Sequence, residues 1–243
     1  MGNLKINAII QARMGSTRLP GKVLMEIEGI PILEHIVKRL KAIAGVGEVI
    51  IATSAKEDDD AVDVFCTKNR IPCVRGSEEN VLERFAKVAK EYPADIYIRA
   101  TGDNPIIDVK LISEMIKFFI EKDLTYTSYS NYPIGSGVEI FSDRALAEAV
   151  KYATKPHGLE HVTPYMYQTM RGRRVIYFES STDDSKIRVT VDTEKDMQFV
   201  RELFKRLYND NQFFGIKEIK DILEKEPLLK TINSDVHQKK LGE

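Results

Sequence analysis

Tryptophan is absent from this chain of 243 residues, cysteine occurs twice, and neither charge sign dominates, with 36 Lys and Arg against 37 Asp and Glu. Each shortage excludes something. A balanced chain has no global field with which to gather a nucleic-acid backbone or an anionic membrane, so any anion site must be built locally. Cys66 and Cys73 lack C-x-x-C spacing and have no histidine close by, which argues for reduced, unremarkable thiols in a cytoplasmic protein. No apolar run reaches membrane-spanning length, and "MGNLKINAII" has neither the long apolar core nor the cleavage site of a secretory leader. Internal repeats and low-complexity segments are also missing. What is present, 43% hydrophobic and 30% charged residues, is ordinary globular composition at a length suited to one large α/β domain.

Short apolar runs alternate with amphipathic patterns. Strands are expected over residues 5–10, 48–53, 71–76 and 95–101, and helices over 31–45, 58–70, 78–92 and 111–122. In the first helix Leu33, Ile36, Val37, Leu40 and Ile43 recur at helical spacing, with Gly45 as a stop. Such β-α alternation predicts a mostly parallel, mixed sheet with helices on both faces. After residue 130 the rhythm changes. A strand over 137–142, helices over 143–153 and 158–170, and two nearby strands over 173–180 and 186–192 suggest a mixed sheet or a flap. Helices over 193–208 and 216–226 follow, so a single domain is expected over residues 1–230, with a frayed polar tail over 231–243.

In a doubly wound sheet, ligands bind beyond the carboxyl ends of the strands. Three suggestive stretches fall at such ends: "QARMGSTRLPGK", "TGDNP" and "VDTEKD". The first suits a polyphosphate. Gly15 and Gly21 let backbone approach an anion, Arg13 and Arg18 offer forked hydrogen bonds, Lys22 adds a compact charge, and no acid lies between Ala12 and Met25. It is not a P-loop, because five residues separate Gly15 from Gly21 and Val23 follows Lys22. "GSGVEI", at residues 135–140, is no dinucleotide fingerprint, for it lacks the third glycine and precedes a strand. Asp103 and Asp192, each just past a strand, are candidates to hold a divalent cation against phosphate oxygens, which matches the one or two carboxylates magnesium usually takes. For the third stretch, "VDTEKD", there is a plainer reading as well, with Thr193 capping the next helix and Asp196 three residues on.

Other motifs have bland readings. "HGLEH", from His157 to His161, has the H-x-x-E-H order of some zinc peptidases, but Pro156 and Gly158 weaken a helix there and no third ligand stands out. The acids of "KEDDD", Lys56 to Asp60, suit a helix N-terminus. In "RGSEENVLERF", Ser77 reads as the N-cap, with Val81, Leu82 and Phe85 facing the core, while the polar turn is also placed to read a base.

Together these segments resemble the sugar-acid cytidylyltransferases, which include the acylneuraminate and 3-deoxy-manno-octulosonate enzymes. "IIQARMGSTRLPGKVL" is similar to their N-terminal signature. "RGSEENVLERF", "TGDNPIID", "GVEIF", "EHVTPY" and "VTVDTEKDM" resemble, in the same order, the branch called spore coat polysaccharide biosynthesis protein F, over roughly residues 6 to 200. The resemblance implies a Rossmann-like nucleotidyltransferase fold with a small dimerisation or flap region, a homodimer, and transfer of CMP from CTP to an acidic sugar or related acceptor, with Mg2+ and release of pyrophosphate. It assigns nucleotide binding to Gln11, Ala12, Arg13, Gly15, Ser16, Arg18 and Lys22, and base contacts to Gly76, Ser77 and Val81 with Arg84 in support. It assigns metal to Asp103 and Asp192, which with Arg13 and Lys22 form the catalytic set, and acceptor contacts to Thr101, Asn131, Gly137, Glu139, His161 and Arg188. Departures fall mostly on the acceptor side: the octulosonate branch has Gln at the place of Thr101 and a base-binding segment that differs from "GSEENVLER", and Asn104 replaces a Cys common in the spore coat branch. Two rivals remain. A nucleotide-sugar-dependent glycosyltransferase usually carries D-x-D, whose only match here, Asp58 to Asp60, opens a helix; a non-catalytic nucleotide-binding module would not need Asp103 and Asp192.

Overall fold

The computed structural model describes residues 4–169, 174–209 and 212–238. Its centre is strand β1, Ile6–Gln11, buried over its first five residues. Burial on both faces explains why β1 reads as a continuous apolar run rather than an alternating one. Ala8 and Ile10 enter the core on one side of the sheet and Ile9 the core on the other. Strands β2 (Val46–Ser54), β3 (Cys73–Gly76) and β4 (Ile96–Thr101) run parallel with it, β2 and β4 flanking β1 and β3 lying outside β2. Strands β5 (Tyr126–Thr127) and β6 (Glu139–Ser142) complete the order β3-β2-β1-β4-β6-β5, with β6 antiparallel to both neighbours.

Helices cover both faces. On one side pack α1 (Ile32–Lys41), α2 (Asp60–Asn69), α4 (Val109–Glu121) and α8 (Glu194–Leu207), through residues such as Leu33, Ile36, Val62, Ile112, Met115, Leu203 and Phe204. On the other pack α3 (Val81–Glu91) and α5 (Asp143–Tyr152), through Leu82, Phe85, Val88, Leu146 and Ala149. No helix among the described residues is long and apolar enough to cross a membrane.

Several expectations change after the first half. The expected helix over 158–170 is two short ones, α6 (Pro156–His161) and α7 (Pro164–Thr169), with residue 170 outside the described set. The break follows from Pro164, which donates no N–H and disfavours helical backbone just before it; Val162 turns to φ 68°. Pro156 does not weaken α6 but opens it, where a missing N–H costs nothing. The expected strand over 173–180 is reduced to Phe178–Glu179, paired parallel with Tyr129–Ser130, and residues 170–173 lie outside the described ones. The segment 186–192 is extended but no regular strand, because its partners are loops: Ile134 N–H donates to Ile187 O, Val189 N–H to Ile134 O and Val191 N–H to Asp103 O, each at 2.8 Å. The helix after β3 begins at Val81 and is capped by Asn80, whose side chain accepts the Glu83 N–H at 3.0 Å; Ser77 instead accepts from Asn80 N–H. The Thr193–Asp196 capping box forms as read. Helix α9 (Ile216–Lys225) and a 3₁₀ turn at Pro227–Thr231 lead into the expected tail, where Asn233 is 5% exposed and donates to Arg188 O at 3.1 Å; residues 239–243 lie outside the described ones.

Gly135 shows how tightly these loops meet. At φ 91°, a Cβ would lie 2.6 Å from Thr190 N. Gly135→Ala is therefore expected to cost about 1–3 kcal/mol, from backbone strain and overpacking together. Denaturant unfolding checks this; a variant as stable as the parent would show that the 134–138 turn can move freely.

Candidate active site

A cavity of about 1280 Å³ opens at the carboxyl ends of β1 and β4. Its lining draws on the loop after β1 (Gln11, Ala12, Arg13, Gly15, Ser16, Arg18, Lys22), the start of α3 (Val81, Arg84), the end of β4 (Thr101, Asp103), the 129–139 region (Asn131, Gly137, Glu139), His161, and Asp192. Most residues singled out from sequence thus face one space. Gly76, Ser77 and Arg188 do not line it.

The loop after β1 is folded on itself. Met14 O accepts the N–H groups of Ser16 (2.8 Å) and Gly21 (2.9 Å), and Gly21 turns the chain at φ 71° into the short helix Lys22–Leu24. That turn drives Lys22 inward, to 7% exposure. Its Nζ lies 2.8 Å from both Asp103 Oδ2 and Asp192 Oδ1. Arg18 Nη2 lies 3.0 Å from Asp192 Oδ2. Arg13 stays more exposed, 3.9 Å from Glu78 and from Glu160. The cation read from sequence as a phosphate ligand therefore bridges the two carboxylates read as metal ligands.

Charge coupling follows from this geometry. Burial disfavours the Lys22 ammonium, but Asp103 and Asp192 outweigh it and hold its pKa above the ordinary lysine value. Burial likewise works against the Asp192 carboxylate, but Lys22, Arg18 and Arg188 together hold it below the ordinary aspartate value.

Behind Asp192 sits a buried network. Arg188 donates to Asp192 Oδ2 (2.5 Å), to Asp196 Oδ1 (2.9 Å) and to the side chain of Gln238. Asp196, 0% exposed, also accepts from the backbone of Asp192 and Thr193 and from Asn233 Nδ2. Arg188 is thus a brace for Asp192 rather than a wall of the cavity. Local sequence does not disclose this network: Asp196 reads only as a cap, and Asn233 and Gln238, which lines the cavity, as tail. Arg99 is not singled out either, although a lone cation in the apolar "DIYIRA" strand is a signal.

On the opposite wall Glu139 accepts from Arg99, Tyr126 and Thr163, and Arg99 Nε donates to Gln11 Oε1 at 3.0 Å. Gly137 is required by contact, since a Cβ would lie 2.4 Å from the Tyr129 ring. Asn131 holds φ 63°. Asn104 donates to Thr101 at 2.9 Å. Burial lowers the His161 pKa, favouring neutral imidazole. At the far end Arg84 is 2% exposed, with Nε and Nη1 lacking any protein partner, and burial lowers its pKa. Gly76 makes room for it: a Cβ there would lie 2.8 Å from Arg84 Cγ.

Among the described residues no group of three or more His, Cys, Asp or Glu gathers as a metal site. Asp103 and Asp192, two carboxylates converging beside an open cavity, suit a hard cation that takes its remaining ligands from phosphate and water. They do not suit a closed zinc site.

A parallel-centred α/β sheet that gathers a basic glycine loop and paired carboxylates at its strand ends defines a nucleotidyltransferase. The comparisons agree, and the chain belongs to the cytidylyltransferase family, whose model matches residues 7–236. It is 38% identical over 242 residues to an uncharacterized protein of Methanocaldococcus jannaschii, covering 99% of both chains. It is 36% identical over 205 residues to the spore coat polysaccharide biosynthesis protein SpsF of Bacillus subtilis, covering 82% of this chain and 85% of that one. A solved cytidylyltransferase from Leptospira borgpetersenii superposes with a TM-score of 0.88 at 28% identity, over 98% of this chain and 100% of that one.

The depressed Asp192 pKa has a sign. Its stabilising contribution is complete above the ordinary aspartate pKa, 3.8, and is lost as pH falls through the lower folded-state value. Asp192→Asn should therefore flatten the fall in stability on acidification below about pH 5. Melting temperatures over an acid series test this; equal slopes in parent and variant would contradict the ion cluster.

Proposed function

We propose that this CTP-dependent nucleotidyltransferase transfers CMP to a small acidic sugar, nonulosonic acid-like, or a related acceptor, in the synthesis of a cell-surface polysaccharide or glycan. One observation carries the reading: Arg18 and Lys22 of the loop and the carboxylates Asp103 and Asp192 meet at one point of a cavity roomy enough for a nucleotide and a second small molecule. The SpsF relative's name lends support to the polysaccharide context.

In this reading Gln11, Ala12, Arg13, Gly15, Ser16 and Arg18 line the triphosphate. Val81 and the orphaned guanidinium of Arg84 lie where the base would sit, with Gly76 and Ser77 supporting from behind. Asp103 and Asp192 would hold Mg2+, which supplies Lewis-acid stabilisation of phosphate charge. Arg188 keeps the Asp192 carboxylate aimed. The acceptor rests on the wall formed by Thr101, Asn131, Gly137, Glu139 and His161, and one of its oxygens attacks the α-phosphorus in line as pyrophosphate leaves. Arg13, Arg18 and Lys22 neutralise the charge that grows on pyrophosphate. No covalent protein nucleophile is required. We place the protein in the cytoplasm as a homodimer.

The test is pyrophosphate release with CTP, UTP, ATP and GTP against a panel of acidic sugars and phosphonates. CTP with one acidic acceptor should stand out. Asp103→Ala and Asp192→Ala should each lower that rate by about 100-fold or more in folded protein. Parent-like rates in both variants would remove the metal assignment, and release of free nucleotide from a nucleotide sugar without pyrophosphate would replace the reaction class.

A further inference from the structure

The acidic run after β2 does not do what its position suggests. Asp59 stands at the N-cap of α2, yet its side chain caps nothing in that helix. It is 3% exposed, and its carboxylate points back toward the loop after β1. Oδ1 accepts the Met14 N–H at 2.6 Å. Oδ2 accepts the Ser54 N–H at 3.1 Å and the Ser54 hydroxyl.

Met14 is the residue on which that loop closes. Its carbonyl gathers the N–H groups of Ser16 and Gly21, and Lys22, which follows Gly21, reaches Asp103 and Asp192. With its N–H held by Asp59, both polar groups of the Met14 backbone are fixed from within the protein. A mere cap could be Ser, Thr or Asn. Three donors converging on one side chain need a group with acceptor oxygens on both arms, and only a carboxylate supplies that. Burying a negative charge beside a site for a polyanion is unfavourable unless a cation compensates it. The charge of Asp59 acts on the buried Arg84 guanidinium, which lines the same cavity.

We infer that Asp59 is a positioning residue for nucleotide binding: through the Met14 N–H it holds the loop in the shape that receives the β- and γ-phosphates. The inference rests on the reading of this loop as the triphosphate site. It predicts an effect graded by phosphate number, which general destabilisation would not produce.

Titration calorimetry on the full chain, with CTP and CMP as probes, decides it. The parent should bind CTP more tightly than CMP. Asp59→Asn, which turns one acceptor arm into a donor, should weaken CTP by about ten- to 100-fold, the equivalent of one charge-assisted hydrogen bond, while CMP changes less than about threefold. Ser54→Ala removes a donor to the same carboxylate but leaves the Met14 contact. It should lower the melting temperature and keep both affinities within about threefold. Met14→Pro deletes the same hydrogen bond from the loop side and covers the case in which Asp59→Asn does not fold; it should reproduce the CTP-selective loss. Equal losses for CTP and CMP, unchanged CTP affinity in both loop variants, or a Ser54→Ala effect matching Asp59→Asn would overturn the inference. A parent that binds CTP and CMP alike would instead overturn the phosphate reading of the loop, and the inference with it.

Discussion

The ammonium of Lys22, 2.8 Å from a carboxylate on each side, ties together the three segments from which the site is made. The loop after β1 with its short helix, the turn after β4 and the segment before α8 share no sheet ladder or long helix to align them at this point. Two like charges, Asp103 and Asp192, would repel across so small a gap; a cation between them makes the approach favourable. Taking one member out of such a buried cluster typically costs about 3–5 kcal/mol, because its partners stay desolvated. The cluster thus holds the three segments together at one point of the cavity.

Around it the protein places hydrogen-bonded layers beneath the charged groups. Arg188, Asp196 and Asn233 form a hydrogen-bonded layer under Asp192, and Asp59 with Ser54 forms another under Met14. Both layers are closed sets of donors and acceptors, which is the condition for burying charge at low cost. On the cavity side the pattern reverses. Two guanidinium nitrogens of Arg84, Asn104 Oδ1 and Ser130 Oγ are buried with no protein partner. Buried polar atoms without partners are costly, and these belong to residues that line the cavity.

The first half of the chain was legible in its sequence. The β-α rhythm to residue 122, the cation-rich glycine loop that follows β1, and the place of Asp103 just past β4 are local patterns whose physics works within a few residues. Legibility failed where partners are distant. The 186–192 segment has strand-like residues but meets only loops, so it is extended without a ladder. Ser77 and Asn80 are both capping residue types, and the competition is settled by where the helix must start for Val81 and Leu82 to reach the core.

Composition and spacing by themselves determined an α/β protein with a loop suited to a polyphosphate: buried parallel strands need long apolar runs, and a glycine loop with three cations and no acid can meet an anion with both backbone and side chains. Only the tertiary structure decided who partners whom. That Lys22 faces carboxylates, that Arg188 braces rather than lines, that the residues 233–238 return to the site and that Asp59 serves a loop rather than its own helix are all contacts between segments far apart in sequence. Electrostatics and hydrogen bonding act over a few ångströms of space, and the order of residues along a chain does not record which ångströms those will be.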